Sequence, residues 1–311
     1  MSSIKFFFKA CNVLSDPFTN WVSSKNVCIE RDIVYDTTNP NILRADLYYT
    51  KLFKESKYPI FINVHGGGFV GGDKKYRRGF SLTMAREGYF VMNINYGLCP
   101  SYKFPYFIQN VISAINWSID NSDKYNLDTN KIILCGDSSG SFIAAVTAAA
   151  IYNPAFCEEI KVNYPNIKLR ALMLYCGIYD FLSVCDNNDY IKKNINYPEI
   201  ITGMNREKLV DLGFYDIIKP SNYVNENYPP TFITYSTKDI LCNGTSDTLI
   251  DSLIEHKVPH KIFKATNVSD IHCFHLRPII KNAKLCLKES NSFIIEKLVL
   301  TTEKQGDYIN I

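Results

Sequence analysis

The feature that most restricts this chain is the exchange of apolar, β-rich runs with helical stretches along its length. Strand-like runs stand at Tyr58–Val64, Tyr89–Ile94, Lys131–Cys135, Leu169–Tyr175, Thr231–Ser236 and Pro259–Lys264. Helix-like patterns cover about Tyr76–Glu87, Tyr106–Tyr125, Ser139–Ile151, Thr245–His256 and Pro278–Leu298, the last with Pro278 as a first-turn proline. Strands joined through helices run parallel, and a parallel sheet needs helices on both faces to bury its side chains. Upstream, Val27–Tyr35 and Ile42–Tyr49 alternate around Asn39-Pro40-Asn41, which predicts an antiparallel opening pair. In such a sheet the chemistry belongs at the carboxyl ends of the strands.

One stretch interrupts the pattern. From Asp180 to Pro229 no clean strand is legible, Asn, Asp and Tyr are frequent, and only Glu207–Phe214 suggests a short helix. An insertion of this length just past a strand end reads as a lid, against the plainer reading of a structural excursion. Met1 to Leu14 carries Phe6-Phe7-Phe8 cut by Lys5 and Lys9, which predicts a folded helix rather than a signal peptide.

The 311 residues are 46% hydrophobic and 21% charged, with 34 basic and 31 acidic side chains and a net charge of +3. That near balance speaks against a nucleic-acid groove or a polybasic membrane anchor. No apolar run approaches the ~20 residues of a spanning helix, so the expectation is a cytoplasmic chain with no integral membrane span. The ten cysteines form no C-x-x-C pair, and Cys135 and Cys176 at the ends of strand-like runs read as small packing residues.

Chemistry enters with Gly136-Asp137-Ser138-Ser139-Gly140, a G-x-S-x-G between an apolar strand and a helix. A serine on so sharp a turn is strained and exposed above the sheet, and the helix N-terminus favours developing negative charge. His65-Gly66-Gly67-Gly68-Phe69 follows the strand Tyr58–Val64, where three glycines let backbone N–H groups turn toward a developing oxyanion. A phosphate-binding loop is the rival reading, but the Gly-Lys-Ser/Thr ending and the G-x-G-x-x-G spacing are absent. The base should lie beyond the last strand, where His272 and His275 both stand; His256 and His260 flank the turn into it. Asp239, three residues past Thr231–Ser236, is placed for the acid; Asp247 and Asp251 fall in a helix pattern, and Asp270 is close enough to His272 to make a turn contact instead.

Together these residues resemble the hormone-sensitive-lipase-like carboxylesterases of the α/β-hydrolase superfamily. The likeness spans about Tyr58 to Phe274 and includes Gly72-Asp73, Asn95-Tyr96-Gly97-Leu98-Cys99-Pro100 with Phe104-Pro105, and His272-Cys273-Phe274. It implies Ser138 as nucleophile, Asp239 as acid, His272 rather than His275 as base, and Gly67, Gly68 and Ser139 as oxyanion donors. Departures are Ser139 for the usual Ala, Gly97 for Arg, Asn95 for Asp, Asp239-Ile240-Leu241-Cys242-Asn243 for Asp-Pro-Leu-x-Asp, and Cys273 for Gly.

The implied architecture is a single α/β-hydrolase domain over residues 1–311, its mostly parallel twisted sheet flanked by helices. Its cap comes from about 1–26 and 181–228. The implied function is hydrolysis of short-chain carboxylic esters, without metal or organic cofactor. Its partner is a small-molecule ester and not a nucleic acid, with homo-oligomerisation left open. An amidase, peptidase or arylformamidase on the same residues, or a receptor without catalysis, are the alternatives. Cap rings, among them Phe6, Phe7, Phe8, Phe18, Trp21, Phe181, Tyr190, Tyr197 and Phe214, should leave a pocket of limited depth, with Phe69 and Tyr96 adding two more near the glycine loop.

Overall fold

The computed structural model describes residues 2–50, 56–181, 197–242 and 244–303. Tyr190 and Asn243, named above, lie outside them. Eight strands form one sheet: β1 (Cys28–Val34), β2 (Arg44–Tyr49), β3 (Tyr58–Val64), β4 (Phe90–Ile94), β5 (Leu127–Asp137), β6 (Leu169–Tyr175), β7 (Thr231–Ser236) and β8 (His260–Ala265). Their order is β1-β2-β4-β3-β5-β6-β7-β8. β1 pairs antiparallel with β2, and β2 with β4; every other pairing is parallel. The mostly parallel sheet read from the alternation is therefore present, with its antiparallel opening pair at one edge.

Alternation along each strand sends neighbours to opposite faces. Ile60, Ile62 and Val64 of β3 join one apolar cluster with Ile132 and Leu134 of β5 and Leu172 and Leu174 of β6. Phe61, Ile133, Cys135, Met173 and Tyr175 join the other. α3 (Tyr106–Asp120) and α5 (Ser139–Tyr152) supply the first cluster; α2 (Arg78–Arg86) and α11 (Lys281–Glu303) supply the second. α5 is buried along nearly its whole length, which its run of alanines allows.

Several helix bounds differ from the sequence reading. α1 runs Ser2–Thr19, through Pro17, rather than stopping near Leu14. The helix expected over Tyr76–Glu87 begins as a 3-10 turn, Lys74–Arg77, capped by the Asp73 side chain. Tyr106–Tyr125 divides into α3 and the single turn α4 (Ser122–Tyr125), parted at Asn121. Pro278 is not a first-turn proline. It sits in a turn closed by the Ile280 N–H on the Arg277 carbonyl, and α11 starts at Lys281. α6 (Pro154–Glu159) and α10 (Asp247–Glu255) complete the flanks.

The described part of the insertion holds three short α-helices, α7 (Tyr197–Thr202), α8 (Arg206–Asp211) and α9 (Phe214–Ile217), and a 3-10 turn, Pro220–Tyr223. It packs inward. Tyr197 meets Phe69 and Phe181, Phe214 meets Phe104, Tyr223 stacks on Phe156, and the Tyr228 hydroxyl donates to the Ala145 carbonyl.

Candidate active site

The chain turns back between β3 and β5, which lie side by side in the sheet with Val64 opposite Gly136. This is the switch point where open α/β sheets leave a crevice. The glycine loop leaves the end of β3 and Ser138 follows the end of β5, so register alone sets them together. β7 and β8 end in register at Ser236 and Ala265, which brings the loops carrying Asp239 and His272 alongside.

Ser138 takes φ 53° and ψ −123°, a backbone region costing about 1–3 kcal/mol for a residue with a side chain. The turn is held by the Ser138 N–H on the Tyr175 carbonyl at 2.8 Å and by its own carbonyl, which accepts from Ser141 at 3.0 Å. Gly140 is required here, because a Cβ would stand 2.1 Å from the Val64 carbonyl oxygen.

His272 bridges two partners. Its Nδ1–H donates to Asp239 Oδ2 at 2.7 Å, and the Ser138 hydroxyl donates to its Nε2 at 2.9 Å. Asp239 is buried, and its other oxygen accepts the N–H groups of Leu241 at 2.9 Å and Cys242 at 3.1 Å. Burial presses the His272 pKa down, but the charge and hydrogen bond of Asp239 outweigh it and hold the imidazole well above its ordinary value. A serine bonded to a base that a third group orients is the arrangement in which a hydroxyl is activated for attack.

His275 goes elsewhere. It is buried with its ring stacked on Tyr175 at 4.3 Å and edge-on to Phe80 at 5.9 Å, and burial drives its pKa down to about 3. Asp270 accepts from the Asn267 N–H and the Asn282 amide, the turn contact expected of it. Asp247 and Asp251 face solvent.

The BD-FAE family model matches residues 45–253, about two thirds of the chain. The chain belongs to the BD-FAE family. Among curated proteins it is 26% identical over 226 residues to esterase LipQ of Mycobacterium tuberculosis, covering 72% of this chain and 52% of LipQ. It is 38% identical over 236 residues to protein R526 of Acanthamoeba polyphaga mimivirus, covering 73% and 64%. The chain thus spans roughly half to two thirds of these relatives. Esterase B from Lactobacillus rhamnosis superimposes with TM-score 0.84 at 18% identity, covering 98% and 97% of the two chains. Its C6-C4 SN3 inhibited form gives TM-score 0.82 at 20% identity, covering 97% and 99%. The fold is that of the α/β hydrolases, in agreement with the hormone-sensitive-lipase-like resemblance.

In this BD-FAE chain Ser138, His272 and Gly67 open onto one cavity of about 790 Å³. α1 forms one wall with Phe7, Phe8, Leu14 and Phe18; the segment after β8 forms the other with Val268, Ile271, Ile279 and Ile280. Aliphatic side chains outnumber rings here, and of the cap rings named above Phe7, Phe8 and Phe18 line it. Among the described residues, none of the insertion after Phe181 lines it. Phe69 and Tyr96 are not in its wall either. Phe69 is closed in by Phe107, Phe142, Phe181 and Tyr197, while Tyr96 stacks on His65 and donates to the His65 carbonyl at 2.9 Å. Both support the glycine loop from within the core instead of facing a ligand.

Gly68 has φ +61°, and a Cβ there would meet the Phe8 ring at 2.1 Å, so α1 sits directly on the loop. His65 is kept neutral, its pKa lowered to about 4 chiefly by burial, and its Nδ1–H donates to the Gly66 carbonyl at 2.9 Å. Ser139, buried, is the first residue of α5. Asp239, Cys242 and His272 place one ligand atom each within 4.8 Å of one another, but two of those atoms are already bonded together.

An ion pair escaped the sequence reading. Arg77 grips Asp137, the residue before Ser138, through Nε at 2.7 Å and Nη2 at 2.6 Å, both partners buried. Arg77 Nη1 also reaches Asn12 of α1 at 3.4 Å. The signal available was the charged x in G-x-S-x-G, since a buried carboxylate there needs a cation.

Proposed function

We propose that this chain is a serine carboxylesterase acting on short-chain esters. The observation that supports it is the chain of bonds from Asp239 through His272 to Ser138 at the floor of an apolar cavity. In this reading His272 takes the Ser138 proton as Oγ attacks the ester carbonyl. The oxyanion rests on the backbone N–H groups of Gly67, Gly68 and Ser139. His272 then protonates the leaving alcohol and activates the water that frees the acid. Asp239 fixes the tautomer and stabilises the imidazolium. The named relatives include esterases, in keeping with ester hydrolysis. No step requires a metal or organic cofactor.

The domain arrangement proposed is one hydrolase unit with α1 as the cap wall that touches substrate. The described part of the insertion braces the glycine loop from behind through Tyr197 and Phe181. Beyond Gly68 the packed rings around Phe69 leave an acyl chain no path into the core. The acyl group must lie in the open cavity, whose outer side chains stand in water. A buried methylene is worth about 0.8 kcal/mol, and one reaching past that rim gains less. The inhibitor lengths of the C6-C4 esterase B complex point the same way.

The test is kcat/KM for p-nitrophenyl esters from acetate to palmitate in detergent-free buffer. The reading expects a maximum between acetate and hexanoate and a steep fall beyond. A maximum at laurate or longer overturns the short-chain preference; no turnover of any ester overturns the activity.

A further inference from the structure

A helix packed on a protein body ordinarily turns its apolar stripe inward. α1 does something different. It buries Phe8 together with Asn12 and Thr19, and leaves Phe6, Val13, Leu14 and Phe18 in water. The exposure continues around the cavity. Phe7, Leu14, Phe18, Val268, Ile271 and Ile279 all line it, yet each is between 40% and 83% exposed. Because they share one cavity, they form one rim. Trp21, just past the end of α1, is 81% exposed. Apolar patches of this kind on a soluble chain mark a surface that meets something apolar.

The exposed charged side chains of α1 and of the first turn of α11 are basic. Lys5 and Lys9 of α1 and Lys281 beside Ile280 are exposed. The single acid of α1, Asp16, is half-buried and accepts from the Asn20 side chain. Asp270, within the loop that carries Val268 and Ile271, is fully buried and hydrogen-bonded. A second copy docked on this face would bring more lysines to it, and α1 offers no fully exposed acid to pair with them. An apolar face with interleaved lysines is instead matched to anionic headgroups over acyl chains. Among the described residues no helix is long and apolar enough to cross a membrane, so the contact is one of lying on the layer.

We propose that this rim docks the protein on a lipid layer bearing anionic headgroups. α1 lies in the interfacial plane, and the cavity opens toward the acyl region. The docking is a property of the surface and does not depend on ester hydrolysis.

The whole chain is mixed with vesicles of phosphatidylcholine alone or blended with phosphatidylglycerol. Co-sedimentation is followed, together with the emission of exposed Trp21 in a Trp117→Phe chain. The expected result is sedimentation with the anionic vesicles, a blue shift of Trp21 emission there, and weakening of both by salt. The double variant Phe6→Ser/Val13→Ser alters exposed side chains outside the cavity wall. It is expected to keep its circular dichroism and its turnover of p-nitrophenyl acetate in vesicle-free buffer, while binding vesicles roughly tenfold more weakly or worse. Absence of binding to either vesicle overturns the proposal. Equal binding to both overturns the headgroup preference. A vesicle-free dimer that the double variant dissolves would assign the face to a second copy instead.

Discussion

His272 is held between a carboxylate that favours its charged form and a burial that opposes it, and the carboxylate wins. A base must be unprotonated to act, so kcat/KM should rise with pH through an apparent pKa above the ordinary imidazole value of about 6.5. Asp239→Asn removes the charge that raises it; the acid limb should move to lower pH and kcat should fall by about 10⁴. An acid limb that stays in place in Asp239→Asn would detach the carboxylate from the imidazole. The two late histidines separate in a paired experiment. His272→Ala should lose activity with its Tm nearly unchanged, whereas His275→Ala should keep its turnover per folded molecule and lose Tm, because its ring fills core space beside Tyr175 and Phe80. Ser138 was legible because its motif is local and the strand and helix on either side are local too. The two late histidines were not separable by spacing, since both follow the same strand. What divides them is a turn through Cys273 at φ +53°, which sends His272 into the cavity and His275 into the core. Phe69 and Tyr96 were misplaced for a related reason: proximity in sequence to the glycine loop says nothing about which side of it a ring packs on.

Three elements meet at the Arg77–Asp137 pair: the 3-10 turn before α2, the end of β5, and α1 through Asn12. Burial alone would raise the Asp137 pKa, but Arg77 overrides it and holds the carboxyl below its ordinary range. A lowered folded pKa means the pair's stabilisation is complete above the ordinary carboxylate range and is lost as pH falls through the lowered value. Removing one partner strands the other charge in the core, so Asp137→Asn should cost about 3–5 kcal/mol in urea unfolding at neutral pH. A loss below about 1 kcal/mol would show the pair to be solvated. Elements with strong periodicity were readable: β3, β6 and β7 begin and end where their apolar runs do. Ends set by side-chain caps or by proline were less so. α1 continues only two residues beyond Pro17, whose missing N–H costs the last turn a backbone bond, while Pro278 lies in a turn that a sequence pattern cannot tell from a first helical turn.

At the scale of the whole molecule, one sheet order gathers residues from four loops to a single edge. Parallel strands all carry their carboxyl ends there, which is why residues just past strand ends, Ser138 and Asp239 among them, meet at this edge. The cap was the least legible part. Its ring-rich composition suggested a pocket of limited depth under both cap segments, but most of the described insertion rings pack inward, and the cavity wall comes from α1 and the segment after β8. Composition records what a segment contains and not which of its faces turns to the ligand. The proposed activity requires that Ser138 Oγ become the acylated atom. Incubation with a p-nitrophenyl phosphonate, followed by intact mass and peptide mapping, tests it most directly. One adduct per chain is expected, on Ser138, absent from Ser138→Ala and much slower to form in His272→Ala. Labelling of another residue, or undiminished labelling of Ser138→Ala, would contradict it.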